Sequence, residues 1–371
     1  LPDLHEKYKT LNDIFKEVIS DKKIWSYYPN ESIRQDELKR VKQLTNSKDF
    51  ISKYLEEGCK AQSLSMDKYF SELLSEIRAK HTVSIFFIGL YIYKNCAIIK
   101  EKIDIKLNEL RTKVGGDISI KFNYYWFLIC FYHDIAHCYE TADYSLDYIE
   151  ENQISLKQLN ALPDISFDLP PFNNSVPDIY TSVWYNYYRY RTSQGKNDHG
   201  IFGGLLLYND MKLNYDKYRN ELNNPKEPFE KNKVWWSKKI LSDVHGYVAW
   251  MIMAHNIWFL FNDDPHYERK RIEYEKYELN ELILTGDNTV ITLDHPFLYL
   301  LSIVDTIDPV KIIKNPIDIL EALSKIYIMA DGSELIIKMD KNIIGDCEKY
   351  QKGINDLKKW VDLTQFKVSL E

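Results

Sequence analysis

The stretch FYHDIAHCYE, residues 131–140, sets His133 and Asp134 side by side in an aromatic, apolar run. An ionisable side chain taken into a core must be paired or bound to a metal, because an isolated buried charge is strongly unfavourable. The same conflict recurs along the chain. His81 opens HTVSIFFIGL, His199 lies in DHGIFGGLLLY, His255 interrupts VAWMIMAHNIWFLF and Asp305 interrupts PFLYLLSIVDTIDP. Each puts a metal-competent group on a helix that otherwise reads as core. One HD dipeptide carries little weight, since a lone buried His is more often a hydrogen-bonded core residue. Repetition changes that balance, because one shared cation offsets several burial costs together. Imidazole and carboxylate donors suit Mn, Fe, Co, Ni or Zn. Consecutive residues on a helix stand about 100° apart, so His133 and Asp134 are expected to reach one ion beside it.

The composition, 45% hydrophobic and 28% charged over 371 residues, is enough for a large core and, by length, for two or three domains. A net charge of -7 argues mildly against a non-specific nucleic-acid binder, a local basic patch being left open. Cys59, Cys96, Cys130, Cys138 and Cys347 are scattered and form no CxxC, which reads as reduced thiols in a cytoplasmic protein. The apolar runs VSIFFIGLYIY (83–93) and VAWMIMAHNIWFLF (248–261) are shorter than the ~20 residues of a membrane span. No membrane partner is expected. The sequence begins LPDLHEKYK, with neither Met nor a signal-peptide core, as a piece of a longer protein would.

Hydrophobic spacing predicts a mainly α fold. SKDFISKYLEEGC and SMDKYFSELLSEIRAK mark an N-terminal helical segment over 1–74. A long apolar helix follows from about His81, GGD (115–117) breaks the chain, and a second apolar helix is expected over 122–140. The four prolines of 161–180 predict a loop, and NNPKEPFEKNK (223–233) a polar linker. Further helices are expected over 234–261 and over 295–312, the latter closed by Pro309. From 313 to 371 the pattern becomes a small α+β appendage. SKIYIMAD and SELIIKMD flank Asp-Gly-Ser as a hairpin, before the helix KYQKGINDLKKWVD and the short run QFKVSL.

The ordered set H…HD…H…H…D resembles the HD-domain metal-dependent phosphohydrolase superfamily. The resemblance covers 75–312 and implies an all-α HD-domain core. HDIAH is similar to HDxxH variants found in cyclic-nucleotide phosphodiesterases and deoxynucleotide triphosphohydrolases. By this resemblance His81, His133, Asp134 and Asp305 hold one divalent ion, His199 and His255 hold a second, and Asp134 bridges the two. HDxxK and GYP do not occur, which argues against a cyclic dinucleotide substrate. The chemistry implied is hydrolysis of a phosphate ester, a nucleotide by class, with Asp134 orienting the nucleophile. Two ions ~3.5–4 Å apart clamp attacking and leaving oxygens in such sites. His137, one turn beyond His133, is expected to contact phosphate or protonate the leaving group, a core role being equally open. Arg191 and Lys196, with Arg189, are candidates for holding phosphate, against the plainer reading of solvated surface.

Several alternatives stand beside these assignments. His245 could replace His255 as a ligand. Asp308 is either a partner that orients a ligand His or a turn residue before Pro309, and His295 reads as a loop or cap residue. The Tyr-rich YTSVWYNYYRYR either stacks a base or packs the core. Two rival functions also remain, a di-iron HD-like oxygenase and a non-catalytic, metal-stabilised sensing or interaction module.

Overall fold

The computed structural model describes residues 76–115, 121–134, 136–137, 168–222, 238–286, 289–313, 324–339 and 347–370, together with 9–11, 13, 14 and 17. The helices expected over 1–74 lie outside these residues save for their edges, as do the linker 223–233, Cys59 and Cys138. The described residues are mainly helical, with a small strand region near the C-terminus. Their α-helices are α1 (Glu76–Asn95), α2 (Ala97–Val114), α3 (Phe122–Tyr132), α4 (Asp178–Ser193), α5 (His199–Leu222), α6 (Gly246–His255), α7 (Tyr267–Lys276), α8 (Pro296–Ile307) and α9 (Cys347–Leu357). None of the helices described is long and apolar enough to cross a membrane. Two compact units are distinguishable. The first comprises Leu1–Asn108, Ile120–Cys130 and Thr289–Glu371, and the second Glu109–Ser119 and Phe131–Asn288.

In the first unit, α3 is apolar nearly all round and correspondingly buried. Trp126 fills the space above Gly89 of α1, where a Cβ would fall 2.2 Å from the indole. Its Nε1 donates to the Phe86 carbonyl at 3.0 Å. Phe297 of α8 packs against Phe122 and Tyr125, with centroids 5.7 and 5.5 Å away. The hairpin forms as its sequence predicts. Strands β4 (Ile326–Asp331) and β5 (Glu334–Met339) pair antiparallel, Asp331 opposite Glu334. Gly332 takes φ +56° in the two-residue loop, the left-handed value that a primed turn demands. Strand β1 (Lys9–Thr10) pairs with β4, and β6 (Lys367–Leu370) runs parallel to β5, giving the order β1-β4-β5-β6. On α9, Tyr350, Ile354 and Leu357 are buried at helical spacing.

In the second unit, α4 buries Tyr180, Val183, Tyr187, Tyr188 and Tyr190. The Tyr-rich stretch is therefore core, with Tyr185 exposed. Helix α5 lies unusually close to its neighbours because Gly200, Gly203 and Gly204 share one face at i, i+3, i+4 spacing. A Cβ on Gly203 would fall 2.4 Å from the Tyr132 carbonyl oxygen, and one on Gly204 would fall 2.4 Å from that of Ala249. At Gly200 the obstacles are Asn256 Cβ at 2.8 Å and the His255 ring at 3.0 Å. Strands β2 (Leu260–Phe261) and β3 (Ile283–Leu284) form a short parallel pair.

Two expected helices end early. The helix expected over 122–140 stops at Tyr132, and His133 and Asp134 occupy the turn that follows. There the Asp134 carbonyl accepts from the His137 N–H at 3.0 Å, a tighter closure than an α-turn. Of the helix expected over 234–261, the part described, from 238, contains a π-helical turn, Ile240–His245, leading into α6, and ends at His255. Asn256 and Trp258 engage side chains there instead of continuing the helix. Helix α8 closes as expected, because Asp308 precedes Pro309 and is held extended at ψ 115°.

Candidate metal centre

Helix α5 begins at His199 because Asp198 caps it. Asp198 Oδ1 accepts from the Ile201 N–H at 2.9 Å, the third residue of the helix. The capping carboxylate is fully buried. Its second oxygen accepts from Asn256 Nδ2 at 2.7 Å and lies 3.6 Å from Arg191 Nε. Burial pushes the Asp198 carboxyl up, while His199, the Ile201 N–H, Arg191 and Asn256 pull it down. This cap fixes the start of α5, and the glycine face carries that start against His255 and the carbonyl of Tyr132.

The result is a group of metal-competent side chains in the second unit. Donor atoms of Asp134, His199 and His255 all lie within 4.8 Å of one another. His199 Nε2 is 3.4 Å from Asp134 Oδ1, and His133 Nε2 is 3.6 Å from the same oxygen. The His255 ring lies edge-on to both His133 and His199, each with centroids 5.3 Å away. Donors on opposite sides of an ion at about 2.1 Å stand about 4.2 Å apart, so a small contraction brings this group to ligating distance. The charges also fit. Asp134 is 2% exposed, and a carboxylate so placed needs a positive partner. Protonating several adjoining imidazoles would set like charges together, whereas one cation among neutral imidazoles satisfies all of them. His255 is held in a ligating tautomer, because the Ile252 carbonyl 2.6 Å from Nδ1 can only accept. Nδ1 therefore carries the proton, and Nε2 keeps its lone pair.

His81 and Asp305 meet within the first unit, where His81 Nε2 lies 3.0 Å from Asp305 Oδ1. Asp308 is the orienting partner, not merely a turn residue. Its Oδ2 lies 2.6 Å from His81 Nδ1, and its Oδ1 accepts from Ser84 Oγ at 2.6 Å. His137 stacks on His199 with centroids 4.5 Å apart. Arg191 is engaged with Asp198, and Lys196 is exposed. His295 occupies the position preceding α8, its carbonyl accepting from the Tyr299 N–H at 2.9 Å, with Pro296 at the first helical position.

His245 is buried but does not join the group around Asp134. Burial holds its imidazole down to about 3. An unfolded His binds a proton near pH 6.5, so acid favours the unfolded chain between these values. The contribution is whole above about pH 6.5 and is lost at up to about 1.4 kcal/mol per pH unit as the pH falls towards 3. Urea unfolding between pH 6.5 and 4.5 is expected to show a shallower pH dependence in His245→Gln than in the parent.

Sequence reasoning passed over Asp198 and Asn256, although each adjoins a candidate ligand, in NDHG and MAHNIW. An Asp immediately before an apolar helical run is a cap signal and could have found the first. Nothing local announces the second, whose role depends on residues some sixty positions away. No protein-family model, curated protein or solved structure matches this chain. Buried His and Asp side chains able to hold a metal ion are what the structure itself displays.

Proposed function

We propose that this protein is a metal-dependent phosphohydrolase that cleaves a phosphate ester, with a nucleotide as the substrate class. The observation that supports it most is the buried Asp134 carboxylate gathered with His199 and His255, donor atoms within 4.8 Å. Asp134, His199, His255 and the adjoining His133 would hold the metal in this reading. The family resemblance assigns His81 and Asp305 to metal binding too, and implies two ions in all. When bound, divalent ions supply charge neutralisation and a water deprotonated near neutral pH. The chain's own part is positioning, which carries most of phosphoryl-transfer catalysis. Asp134 orients the attacking water through its carboxylate. His137, half-buried and stacked on His199, gives its proton to the departing oxygen as the phosphorus–oxygen bond breaks. Arg191 and Lys196 are assigned to phosphate contact, Arg191 with its Nε side turned to Asp198.

Elemental analysis of protein purified without chelator tests this reading, together with assays on nucleoside monophosphates. Near two equivalents of Mn, Co, Ni or Zn with phosphate release is the expected result. Iron together with oxygen consumption would transfer the assignment to the oxygenase. Protein that is metal-free and takes up neither Mn nor Zn would overturn the enzyme reading.

A further inference from the structure

We infer that Trp258 is a stacking platform for the planar base of the substrate, a specificity-determining residue beside the His/Asp group of the second unit. The inference rests on the nucleotide reading above and deepens it. Trp258 lies three residues beyond His255, in the segment that leaves α6. The residues around it turn inward, with Asn256, Ile257 and Leu260 at most 5% exposed, while Trp258 is 64% exposed. A single exposed aromatic residue is ordinary on a protein surface. A fixed one is not, because an exposed side chain gains by keeping its rotamer freedom.

Trp258 is held through its indole and, separately, through its backbone. Its indole N–H donates to Asn256 Oδ1 at 2.6 Å, and its carbonyl accepts from the Tyr274 hydroxyl at 3.0 Å. Asn256 cannot turn away, because its Nδ2 donates to the buried Asp198 carboxylate at 2.7 Å. The same Nδ2 is 3.4 Å from His199 Nδ1. One amide therefore ties the exposed indole to the cap of α5 and to a candidate metal ligand. An indole face held in this way offers stacking to any base, since every base has a π-face, and stacking is tolerant of base identity. The expected specificity is for an aromatic base over a bare sugar phosphate, with modest discrimination among bases.

The test uses the full chain loaded with Mn for kinetics and with Zn, which is diamagnetic, for ¹⁹F NMR of 5-fluorotryptophan-labelled protein. The Trp258 resonance is assigned by its absence in Trp258→Phe. The probes are AMP, GMP, CMP and UMP, with ribose 5-phosphate as the phosphate lacking a base. Nucleotides are expected to shift the Trp258 resonance, and ribose 5-phosphate to leave it in place. Trp258→Ala is expected to raise KM for nucleotides about tenfold or more without changing KM for ribose 5-phosphate, and Trp258→Phe to restore most of the loss. An unmoved resonance, or equal effects on both kinds of probe, overturns the platform. Shifts without any hydrolysis would keep the platform and overturn the phosphohydrolase. Hydrolysis with an unmoved resonance would do the reverse, and neither hydrolysis nor shift would overturn both.

Discussion

Asp134→Ala is expected to lose divalent metal and, with it, the phosphoester hydrolysis proposed for this protein. Its carboxylate is 2% exposed and faces imidazoles of His133 and His199, so no solvent-exposed group can substitute for it. Removing a partner that merely orients a ligand typically lowers metal affinity about 10–100-fold, and loss of the shared carboxylate is expected to exceed that range. Asp308→Ala is the comparison. Asp308 hydrogen-bonds His81 and Ser84 and is assigned no ligand role, so this variant is expected to keep most of its metal with weakened affinity. Metal per chain in both variants, read after dialysis against a mild chelator, separates the two roles. Thermal unfolding of the metal-free proteins checks that each remains folded. Equal metal in Asp134→Ala and the parent would end the assignment.

Alanine at Gly203 or Gly204 is expected to destabilise the protein by about 3 kcal/mol or more, at the upper end of what overpacking costs. In each case the added Cβ meets a backbone carbonyl oxygen at 2.4 Å, and no rotamer change relieves a backbone contact. Gly203 has a second consequence. The obstructing oxygen belongs to Tyr132, immediately before His133. A displacement large enough to admit the methyl moves α5 away from the turn that carries His133 and Asp134. Metal affinity is therefore expected to fall in Gly203→Ala even at temperatures where the variant is folded. Gly353→Ala in α9 is the control. Among the described residues its Cβ would approach nothing closer than Thr306 Cγ2 at 4.0 Å, and a helical Gly→Ala change without strain stabilises by about 0.4–1 kcal/mol. Denaturant unfolding of the three variants, metal-free and metal-loaded, measures both effects. Mild destabilisation at Gly203 and Gly204, similar to an ordinary surface change, would contradict the close approach.

What could be read from the sequence was local. The β4–β5 hairpin follows from Asp-Gly-Ser between two β-rich runs, and the end of α8 follows from Pro309. The conflict between apolar runs and ionisable groups singled out Asp134, His199 and His255 before any geometry was known. Helix ends set by distant partners could not be read in the same way. Apolar spacing continues past Tyr132 and past His255, so periodicity predicts helix there. The chain turns instead, where Asp134 closes a tight turn and Asn256 is engaged by Asp198. Gly200, Gly203 and Gly204 read as weak points in a helix until the carbonyls they admit are known. His81 and Asp305 were legible as candidate ligands, but the hydrogen bonds of Asp308 that orient His81 span more than two hundred residues.

The way the chain divides also governs how it can be born. The second unit consists mainly of one uninterrupted stretch, Phe131–Asn288, whereas the first gathers Leu1–Asn108 and Ile120–Cys130 with Thr289–Glu371. Lys9 pairs with Ile328, and His81 with Asp308. On a ribosome adding about 5–20 residues per second, α1 and β1 wait on the order of ten seconds or more for α8 and β4. During that interval the apolar helix α3 has no Phe297 to cover it, and it is the segment a chaperone would be expected to hold. The second unit can complete itself in the meantime. Pulse-labelled chains stalled once residue 288 has left the ribosome should resist protease over 168–222 and 238–286 while remaining cleavable across 81–108.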